Sequence, residues 1–532
     1  MSNNLSLRKP KNIWTVIIDV AFKEDITIQG DGASLLKIND HDYEITLNSR
    51  FHQHRLVEIK NKAVTIYATA ASIIPCYARI ISGKLYLSNV AENMIIEGED
   101  LSINSYILFQ NMTGTPYPQS NIFNDILLCE ASGIYSVNGK DITYKGSQFE
   151  STVNSSFDEV FESAREGFNS YMKDGHDVNV LLSGGYDSRL NLCFALDGAN
   201  RFGNNIETYH FYKDKNELSI SAAVAEQGNV PFSIKNKSDY IGKGSRELVF
   251  DESFIKFHNG NYRDDLPRWH GLLDEIELNS GNDSLTLGLG AEAHKGKYYR
   301  QFNSVNDAEA VLGINSSIVP EICRSLGLKD YDKNVQKNFF KELVERSNIY
   351  ERLDQKVDFM HYHTYASNGW GCRTHDVSSY YSVPFPFVGQ DFLTKVFSLP
   401  KALKQDFYIT KKMIEVLSPE LSKIEYVSGN ARSLKKKTKQ IKNMIPKIYY
   451  QELSYLHNRY FKNDRKGRSS FFEDELSIIL NSEPRSYLTK LLKDILLFKF
   501  SKVPHIRFNF CLQSFLYLSF LEKHKNVNII IK

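Results

Sequence analysis

Short apolar stretches rich in β-branched and aromatic side chains recur through the first part of the chain. Such stretches, separated by Gly, Asn and Asp, are typical of β-strands. They occupy residues 13–20, 43–47, 64–70, 84–88 and 134–137. The pair Asn138-Gly139 directly follows the last stretch and predicts a tight β-hairpin. We therefore predict a β-rich domain over residues 1–150.

The pattern changes after residue 151, where apolar residues begin to recur at every fourth position. Val160, Ala164, Phe168 and Met172 would share one face of a helix. Further on, predicted strands alternate with predicted helices, which indicates a parallel sheet with helices on both faces. The strands are 178–182, 208–212 and 284–290, and the helices are 158–173, 189–196 and 217–228. We predict an α/β domain over residues 151–430, mainly helical from residue 338, and a helical C-terminal extension over residues 431–532 that packs on it.

Composition narrows the classes of function. The 532 residues are 42% hydrophobic and 24% charged, as in an ordinary globular protein. The 65 Lys and Arg residues nearly balance 63 Asp and Glu residues, whereas a dedicated nucleic-acid binder would show a basic excess. The basic stretch at residues 435–447 is interpreted as a solvated helix face, in preference to a nucleic-acid or membrane contact.

Cysteine usage and apolar runs bear on the compartment. Six scattered cysteines without a Cys-x-x-Cys pair, and an N-terminus without the apolar core of a signal peptide, predict a cytoplasmic protein with free thiols. No apolar run is long enough to span a bilayer, so we expect no membrane partner.

A glycine-containing loop carries the strongest chemical signal. It lies between a predicted strand and a predicted helix and reads Leu182-Ser183-Gly184-Gly185-Tyr186-Asp187-Ser188. Glycines let a backbone approach an anionic pyrophosphate, and the N–H groups that open the next helix point at the anion. The serine hydroxyls can donate to phosphate oxygens, and Asp187 can hold Mg²⁺. The alternative is a plain glycine turn between strand and helix.

This loop resembles the pyrophosphatase (PP) loop of the asparagine synthetase family, which includes β-lactam synthetases and lasso-peptide cyclases. Other segments extend the resemblance over about residues 158–429. They are 206–212 with Glu217, 288–292, 381–387, 398–400 and 418–421. The resemblance implies an adenine-nucleotide α-hydrolase-like synthetase domain that binds ATP through Leu182, Ser183, Gly184, Gly185, Asp187 and Ser188.

The second glycine motif, Gly288-Leu289-Gly290-Ala291-Glu292, is similar to the family's second motif, which carries metal-binding acids. The resemblance implies that Gly288 and Gly290 contact the nucleotide and that Glu292 shares Mg²⁺ with Asp187. Two carboxylates from separate strand ends suit an ion that bridges phosphates. Leu289 replaces another acid of the family. Glu292 as a simple helix-start carboxylate is the alternative.

Residues 67–93 are similar to the back half of the family's glutaminase domain, an Ntn-hydrolase-like fold, and residues 106–137 resemble the segment that leads into the synthetase half. Glutamine-using members carry a cysteine directly after the initiator Met, whereas this chain has Ser2. A hydroxyl ionises far less readily than a thiol. The first domain is therefore interpreted as a degenerate Ntn-hydrolase-like scaffold without glutaminase activity.

The resemblance implies an AMP-forming ligase. A carboxylate of a small molecule, sugar acid or peptide would be adenylated with release of pyrophosphate, and an amine or ammonia would then close the amide. Lys423 is the nearest candidate for the family's amide-forming lysine, although it does not fall squarely on that position. Alternatives are an adenylating enzyme that makes another bond, an amidotransferase fed by external ammonia, and a non-catalytic nucleotide-binding homologue. A homodimer is compatible with all of these.

Three further groups have two interpretations each. Arg189 could reach a phosphate or substrate carboxylate, or pair with a surface acid. Tyr262, Arg263, Arg268, Trp269 and His270 could shape substrate entry or simply pack. A cluster around Trp370 could line the acceptor pocket or be structural, with its first two histidines as ordinary surface residues. Its members are His361, His363, Arg373, His375 and Asp376.

Overall fold

The computed structural model is a mixed α/β protein with several sheets. The structure describes residues 13–21, 25–38, 42–47, 54–61, 63–70, 74–112, 121–149, 154–173, 175, 177–212, 215–236, 285–286, 288, 295–296, 299, 301–312, 318–326, 334–364, 386–427, 482–496 and 508–531.

The first part of the chain is β-rich, as predicted, and forms two antiparallel sheets that share a core. Its strands are β1 Trp14–Asp19, β2 Ile26–Gly30, β3 Ala33–Lys37, β4 Tyr43–Leu47, β5 His54–Lys60, β6 Ala63–Tyr67, β7 Tyr77–Ile81, β8 Lys84–Ser88, β9 Asp100–Ile103, β10 Leu127–Leu128, β11 Gly133–Asn138 and β12 Asp141–Ser147. One sheet has the order β10-β7-β8-β1-β2 and the other β12-β11-β6-β5-β4-β3. Side chains such as Val16, Ile45 and Leu85 are fully buried between them. We call these two sheets the sandwich.

The predicted hairpin is present, displaced by one residue. Asn138 pairs with Asp141, so the two loop residues are Gly139 and Lys140. Gly139 has a φ of 60°, a left-handed conformation that glycine adopts without strain. The glycine therefore occupies the first loop position, and Asn138 ends the strand.

A parallel sheet follows, as the alternation of strands and helices predicts. Its strands are β13 Val178–Leu181, β14 Ile206–Tyr212, β15 Phe232–Asn236 and β16 Leu285–Thr286, in the order β15-β14-β13-β16. The helices of this region are α2 Phe157–Met172, α3 Tyr186–Phe202 and α4 Lys215–Gln227, and α1 Ser105–Met112 precedes them. Ser156 starts α2 through a reciprocal capping box with Glu159. The strand order reverses between β13 and β16.

The remaining described elements are almost all helical, as predicted. They are α5 Ala308–Leu312, α6 Ile318–Ser325, α7 Val335–Ser347, α8 Leu353–His361, α9 Gln390–Ser398, α10 Lys401–Lys404, α11 Tyr408–Leu417, α12 Pro419–Lys423, α13 Tyr487–Asp494, α14 Phe508–His524 and the strand β17 Asn528–Ile531. Short 3-10 turns occupy Ala91–Met94, Val305–Asp307, Pro386–Val388 and Gln405–Phe407.

The end of the chain returns to its first third. Strand β17 pairs in parallel with β9, and α14 packs on α1. These described contacts reach the region predicted as the first domain, whereas the sequence predicts packing on the second. One large core joins α1, the parallel sheet and the C-terminal helices, separate from the sandwich core. The ranges of the three predicted domains stay predictions.

Membrane spanning and thiol state can be assessed over the described part of the chain. None of the helices placed there combines the length and apolar character needed to cross a bilayer. Five cysteines are described, and all five are buried and unbridged.

Candidate functional site

The predicted nucleotide loop lies at the carboxyl end of β13, next to the point where the strand order reverses. In parallel α/β sheets, ligands bind in the crevice outside the carboxyl ends of the two strands that flank such a reversal. Here those strands are β13 and β16. Gly288 follows β16 closely, and a Cβ atom on it would lie 2.8 Å from Cβ of Asp187. The fold thus brings together the two glycine motifs that the sequence singles out.

Hydrogen bonds inside the loop fix its shape. Ser188 Oγ accepts from Ser183 N at 3.0 Å and donates to Ser183 O at 3.1 Å. The two hydroxyl oxygens are 2.9 Å apart, and Ser183 Oγ accepts from Gly185 N at 3.3 Å. Both hydroxyls, predicted as phosphate donors, are therefore engaged in closing the loop. Leu182 is buried and its N–H donates to Tyr209 O at 2.8 Å, which continues the sheet.

The start of α3 supplies a different set of donors. Gly185 is its N-cap and brings no side chain to the first turn, so no side-chain cap bond forms there. The opening N–H groups of a helix have no partner within the helix, and they favour an anion together with the helix dipole. Ser183, Gly185, Tyr186 and Asp187 are all partly exposed. These four residues form the open side of the loop, where the first N–H groups of α3 lie.

The two loop glycines have different neighbours. A Cβ atom on Gly184 would lie 2.2 Å from Val427 Cγ2, and Gly184 O accepts from Val427 N at 3.0 Å. A Cβ atom on Gly185 would meet only Ser183 Oγ, at 3.4 Å. Gly184 is thus required by the protein's own residues 421–427, which we call the covering segment. Gly185 alone faces space that a ligand can use.

Arg189 holds the covering segment in place. Its side chain has 0% exposure, and its guanidinium donates to the carbonyls of Leu421, Ile424 and Glu425 at 3.1, 2.7 and 2.8 Å. It also lies over the Tyr426 ring, 3.7 Å from the centroid. Burial lowers the pKa of this guanidinium. Arg189 therefore binds neither a phosphate nor a surface acid, and both interpretations from the sequence are wrong.

Stacked aromatic rings cover the same face of the loop. Tyr186 stacks on Tyr426 with centroids 3.7 Å apart and on Phe407 at 4.9 Å. Phe407 has a φ of 63°, which is unusual for a bulky residue. Burial raises the pKa of Tyr426, so its hydroxyl stays protonated at neutral pH. The Tyr186 ring of the loop is thereby held by two rings, Tyr426 and Phe407.

Asp187 combines an ion pair with an unsatisfied oxygen. Lys295 Nζ donates to Asp187 Oδ2 at 2.6 Å, with 11% exposure for the lysine side chain and 29% for the aspartate. Asp187 Oδ1 is buried and has no hydrogen-bond partner in the described part of the protein. A carboxylate oxygen in this position fits a hard cation such as Mg²⁺, which prefers oxygen ligands. No sequence motif points to Lys295.

Two of the predicted binding residues, Gly290 and Glu292, lie outside the described residues, as do residues 262–270, Trp370, Arg373, His375, Asp376 and the basic stretch 435–447. Within the described residues no group of three or more His, Cys, Asp or Glu side chains could hold a metal. Lys423 is described: it pairs with Glu420 at 2.7 Å and is 68% exposed. Its role in amide formation stays a prediction.

Two histidines interpreted as surface residues are buried. His361 and His363 lie at the end of α8, and burial lowers the pKa of His363 to about 3. The His363 ring lies 4.2 Å from Phe359, and Nδ1 is 4.0 Å from Glu130 Oε2. They are structural, as the alternative to an acceptor pocket predicts, but the surface assignment is wrong because the helix faces the core.

A buried polar network supports the residues next to Lys295. Lys404 is fully buried and donates to Asp358 Oδ2 at 2.5 Å. Tyr299 OH donates to the same oxygen at 2.5 Å. A Cβ atom on Gly296, whose φ is 54°, would lie 2.5 Å from the Tyr299 ring. Tyr299 is thus fixed on one side and packs against the backbone beside Lys295 on the other.

His210 is a buried residue that sequence reasoning missed. It lies in β14, and its Nδ1 is 3.0 Å from Leu182 O and 3.0 Å from Ser221 Oγ. Its Nε2 is buried without a hydrogen-bond partner among the described residues. His210 therefore braces the carboxyl end of β13 directly before the loop. A histidine in an apolar strand gives no sequence signal for this role.

A cavity of about 930 Å³ lies away from the loop, between β7, β10, β12 and α7. Several of its polar lining groups are engaged with the protein. Arg79 forms two hydrogen bonds of 2.8 Å to Glu99, and Asn104 Oδ1 accepts from Ile107 N. The unsatisfied Asp187 oxygen therefore favours the loop over this cavity as the functional site.

Comparisons with known proteins name no family for the chain. No protein-family model matches it, and no curated protein matches it. A solved structure to which it is similar is the U34-tRNA thiolase NcsA from Methanococcus maripaludis with its 4Fe-4S cluster, at 13% identity. The match covers 51% of this chain and 81% of the thiolase, with a TM-score of 0.20. A likeness this low carries no argument about function. The resemblance to the asparagine synthetase family stays a prediction.

Proposed function

We propose that the protein is an ATP-dependent enzyme of the asparagine synthetase type that adenylates a carboxylate and releases pyrophosphate. One observation carries the proposal. The loop Ser183–Ser188 lies where the order of a parallel sheet reverses, and its Asp187 contacts the second glycine motif at Gly288.

The chain's own groups have distinct roles in this proposal. The first N–H groups of α3 and the loop backbone near Gly185 bind the phosphates, since they are the donors on the open side of the loop. Asp187 holds Mg²⁺ through its unsatisfied oxygen, with Glu292 as the second carboxylate that the sequence resemblance implies. Bound Mg²⁺ neutralises phosphate charge. The covering segment keeps the loop in shape.

The bond chemistry follows from the substrate class. An oxygen of the substrate carboxylate bonds to the α-phosphorus, and the bond from that phosphorus to the bridging oxygen breaks as pyrophosphate leaves. An amine or ammonia then attacks the acyl carbon, loses a proton and displaces AMP. The amine comes with the substrate or from outside, since Ser2 replaces the cysteine of glutamine-using members. The carboxylate belongs to a small molecule, a sugar acid or a peptide.

Hydroxylamine trapping tests the adenylation step without knowledge of the natural amine. The protein is incubated with MgATP, hydroxylamine and a panel of carboxylic acids, and AMP, pyrophosphate and hydroxamate are measured. We expect equal amounts of the three with at least one acid. Asp187→Asn should abolish them, whereas Asp158→Asn, which removes an exposed carboxylate from the first turn of α2, should not. Unaltered turnover in Asp187→Asn would reject the metal role.

A second candidate is a protein that binds nucleotide without turning it over. It is favoured by the ion pair of Asp187 with Lys295 and by the exposed position of Lys423. In that case MgATP binds, yet no acid gives AMP. A third outcome, AMP formation with hydroxylamine but with no amine, would indicate an adenylating enzyme that makes a different bond.

A further inference from the structure

The Lys295 ammonium lies close to the N-terminus of α3, which itself carries positive partial charge. It is 2.6 Å from Asp187, the second residue of this 17-residue helix. A cation near a helix N-terminus is unfavourable by itself. The ammonium is also largely removed from water, with 11% exposure of the side chain. Among the described residues, its counter-charge is the Asp187 carboxylate, whose Oδ1 has no hydrogen-bond partner.

The two glycines nearest to Lys295 among the described residues, Gly288 and Gly296, both pack closely against their neighbours. Gly288 packs against Asp187 and Ser188 so closely that a Cβ atom would lie 2.8 Å from Asp187 Cβ and 3.2 Å from Ser188 N. Gly296 packs against Tyr299, which Asp358 anchors. The ammonium is also 5.5 Å from the centroid of the Phe407 ring. The Lys295 ammonium thus lies at the first turn of α3, beside the loop.

We propose that Lys295 is a phosphate-binding residue that grips the β- and γ-phosphates of ATP and then stabilises the leaving pyrophosphate. This inference rests on the proposed function. Without nucleotide the Lys295 ammonium forms an ion pair with Asp187. With nucleotide it moves to phosphate oxygens, because a lysine is a flexible point charge that makes charge-assisted hydrogen bonds. The ammonium keeps all its protons, and the electron pair of the broken bond stays on pyrophosphate.

The loss of affinity on replacing Lys295 should depend on how many phosphates the nucleotide carries. Isothermal titration calorimetry with ATP, ADP and AMP, each with Mg²⁺, compares the wild type with Lys295→Met and Lys295→Arg. Losing a charge-assisted hydrogen bond should weaken ATP binding by about 10- to 100-fold. AMP binding should change by less than about twofold, because AMP lacks the phosphates in question. Lys295→Arg keeps the charge and should retain most of the ATP affinity.

Lys412→Met is the matched control, since Lys412 is an exposed lysine of α11 that pairs with Glu415 at 3.2 Å. It should bind all three nucleotides as the wild type does. Circular dichroism and thermal unfolding of each variant establish that a weakened affinity does not reflect unfolding.

The outcomes separate this inference from the proposed function. A wild type that binds none of the three nucleotides rejects the proposed function. A wild type that binds ATP, with Lys295→Met binding it equally well, overturns the role of Lys295 and leaves the function standing. Tighter ATP binding by Lys295→Met also overturns it, because the ammonium would then compete with Mg²⁺ for Asp187. An equal loss for AMP and ATP overturns it as well.

Discussion

The sandwich and the carboxyl edge of the parallel sheet treat buried polar groups differently. On the outer face of the sandwich, Thr15 and Ser88 bond to each other and to Asn93, and in the sandwich core Trp14 Nε1 is a buried atom without a described partner. Around the start of α3, unsatisfied buried atoms occur on Asp187, Arg189, Asn191 and His210. Unpaired buried polar atoms destabilise a fold unless a ligand or water satisfies them. This difference fits the proposed function, in which the parallel sheet carries the site and the sandwich is a scaffold.

Removing Arg189 should give the largest loss of stability, because its side chain joins α3 to the covering segment. Arg189→Met leaves the carbonyls of Leu421, Ile424 and Glu425 without donors, at about 1–3 kcal/mol each. Urea unfolding should show a free energy of unfolding lower by about 3 kcal/mol or more. Arg201→Met removes an exposed arginine that pairs with Asp197 in the same helix, and it should cost under about 1 kcal/mol. An equal loss of stability in the two variants would contradict the role of Arg189 in holding the covering segment.

A truncation in the sandwich core separates stability from nucleotide binding. Leu85 is fully buried, so Leu85→Ala should lower the free energy of unfolding by about 2–5 kcal/mol. Nucleotide affinity of the folded fraction should stay unchanged, as measured by calorimetry well below the unfolding temperature. A matching loss of affinity would mean that the sandwich contributes to the site.

The two loop glycines allow a sharper comparison inside the site. Gly184→Ala places a methyl group 2.2 Å from Val427 Cγ2 and should lower the free energy of unfolding by about 1–3 kcal/mol. Gly185→Ala has room beside Ser183 and should leave stability nearly unchanged, yet weaken nucleotide binding on the open side. Val427→Ala should rescue Gly184→Ala by removing the clash. Failure of the rescue in thermal unfolding would contradict the packing argument.

The contact between His363 and Glu130, which follows the sandwich strand β10, should respond to acid. His363 has a folded pKa of about 3 against an ordinary value of 6.5, so the unfolded chain binds a proton that the folded chain does not. Its contribution is fully present above pH 6.5 and is lost as the pH falls towards 3, by about 1.4 kcal/mol per pH unit. His363→Gln should flatten the dependence of unfolding free energy on pH in this window. An unchanged slope would show that other groups dominate.

Local patterns predict five of the twelve strands that the structure describes before α2, and they miss β2, β3, β5, β7, β9, β10 and β12. The strands 43–47 and 84–88 match β4 and β8, and the four-residue spacing places α2 to within one residue. The loop and its two flanking elements are also predictable, since strand, glycines and helix lie within about twenty residues.

The partners of the loop are not predictable in this way. Arg189 contacts the covering segment more than 230 residues away, and Lys295 reaches Asp187 across 108 residues. Both contacts depend on how the whole chain folds, because neither lysine nor arginine carries a local signal for its partner. The glycine Gly184 illustrates the same limit. Its residue type suggests a phosphate contact, and the fold assigns it to Val427.

Hydrogen–deuterium exchange with and without MgATP tests the central claim most directly, because it reports where the nucleotide binds. We expect slower exchange in peptides that cover residues 182–189, where the opening N–H groups of α3 would bind phosphate, and little change in the sandwich strands. Protection confined to another region, or no protection at millimolar MgATP, would contradict the assignment of this loop as the nucleotide site.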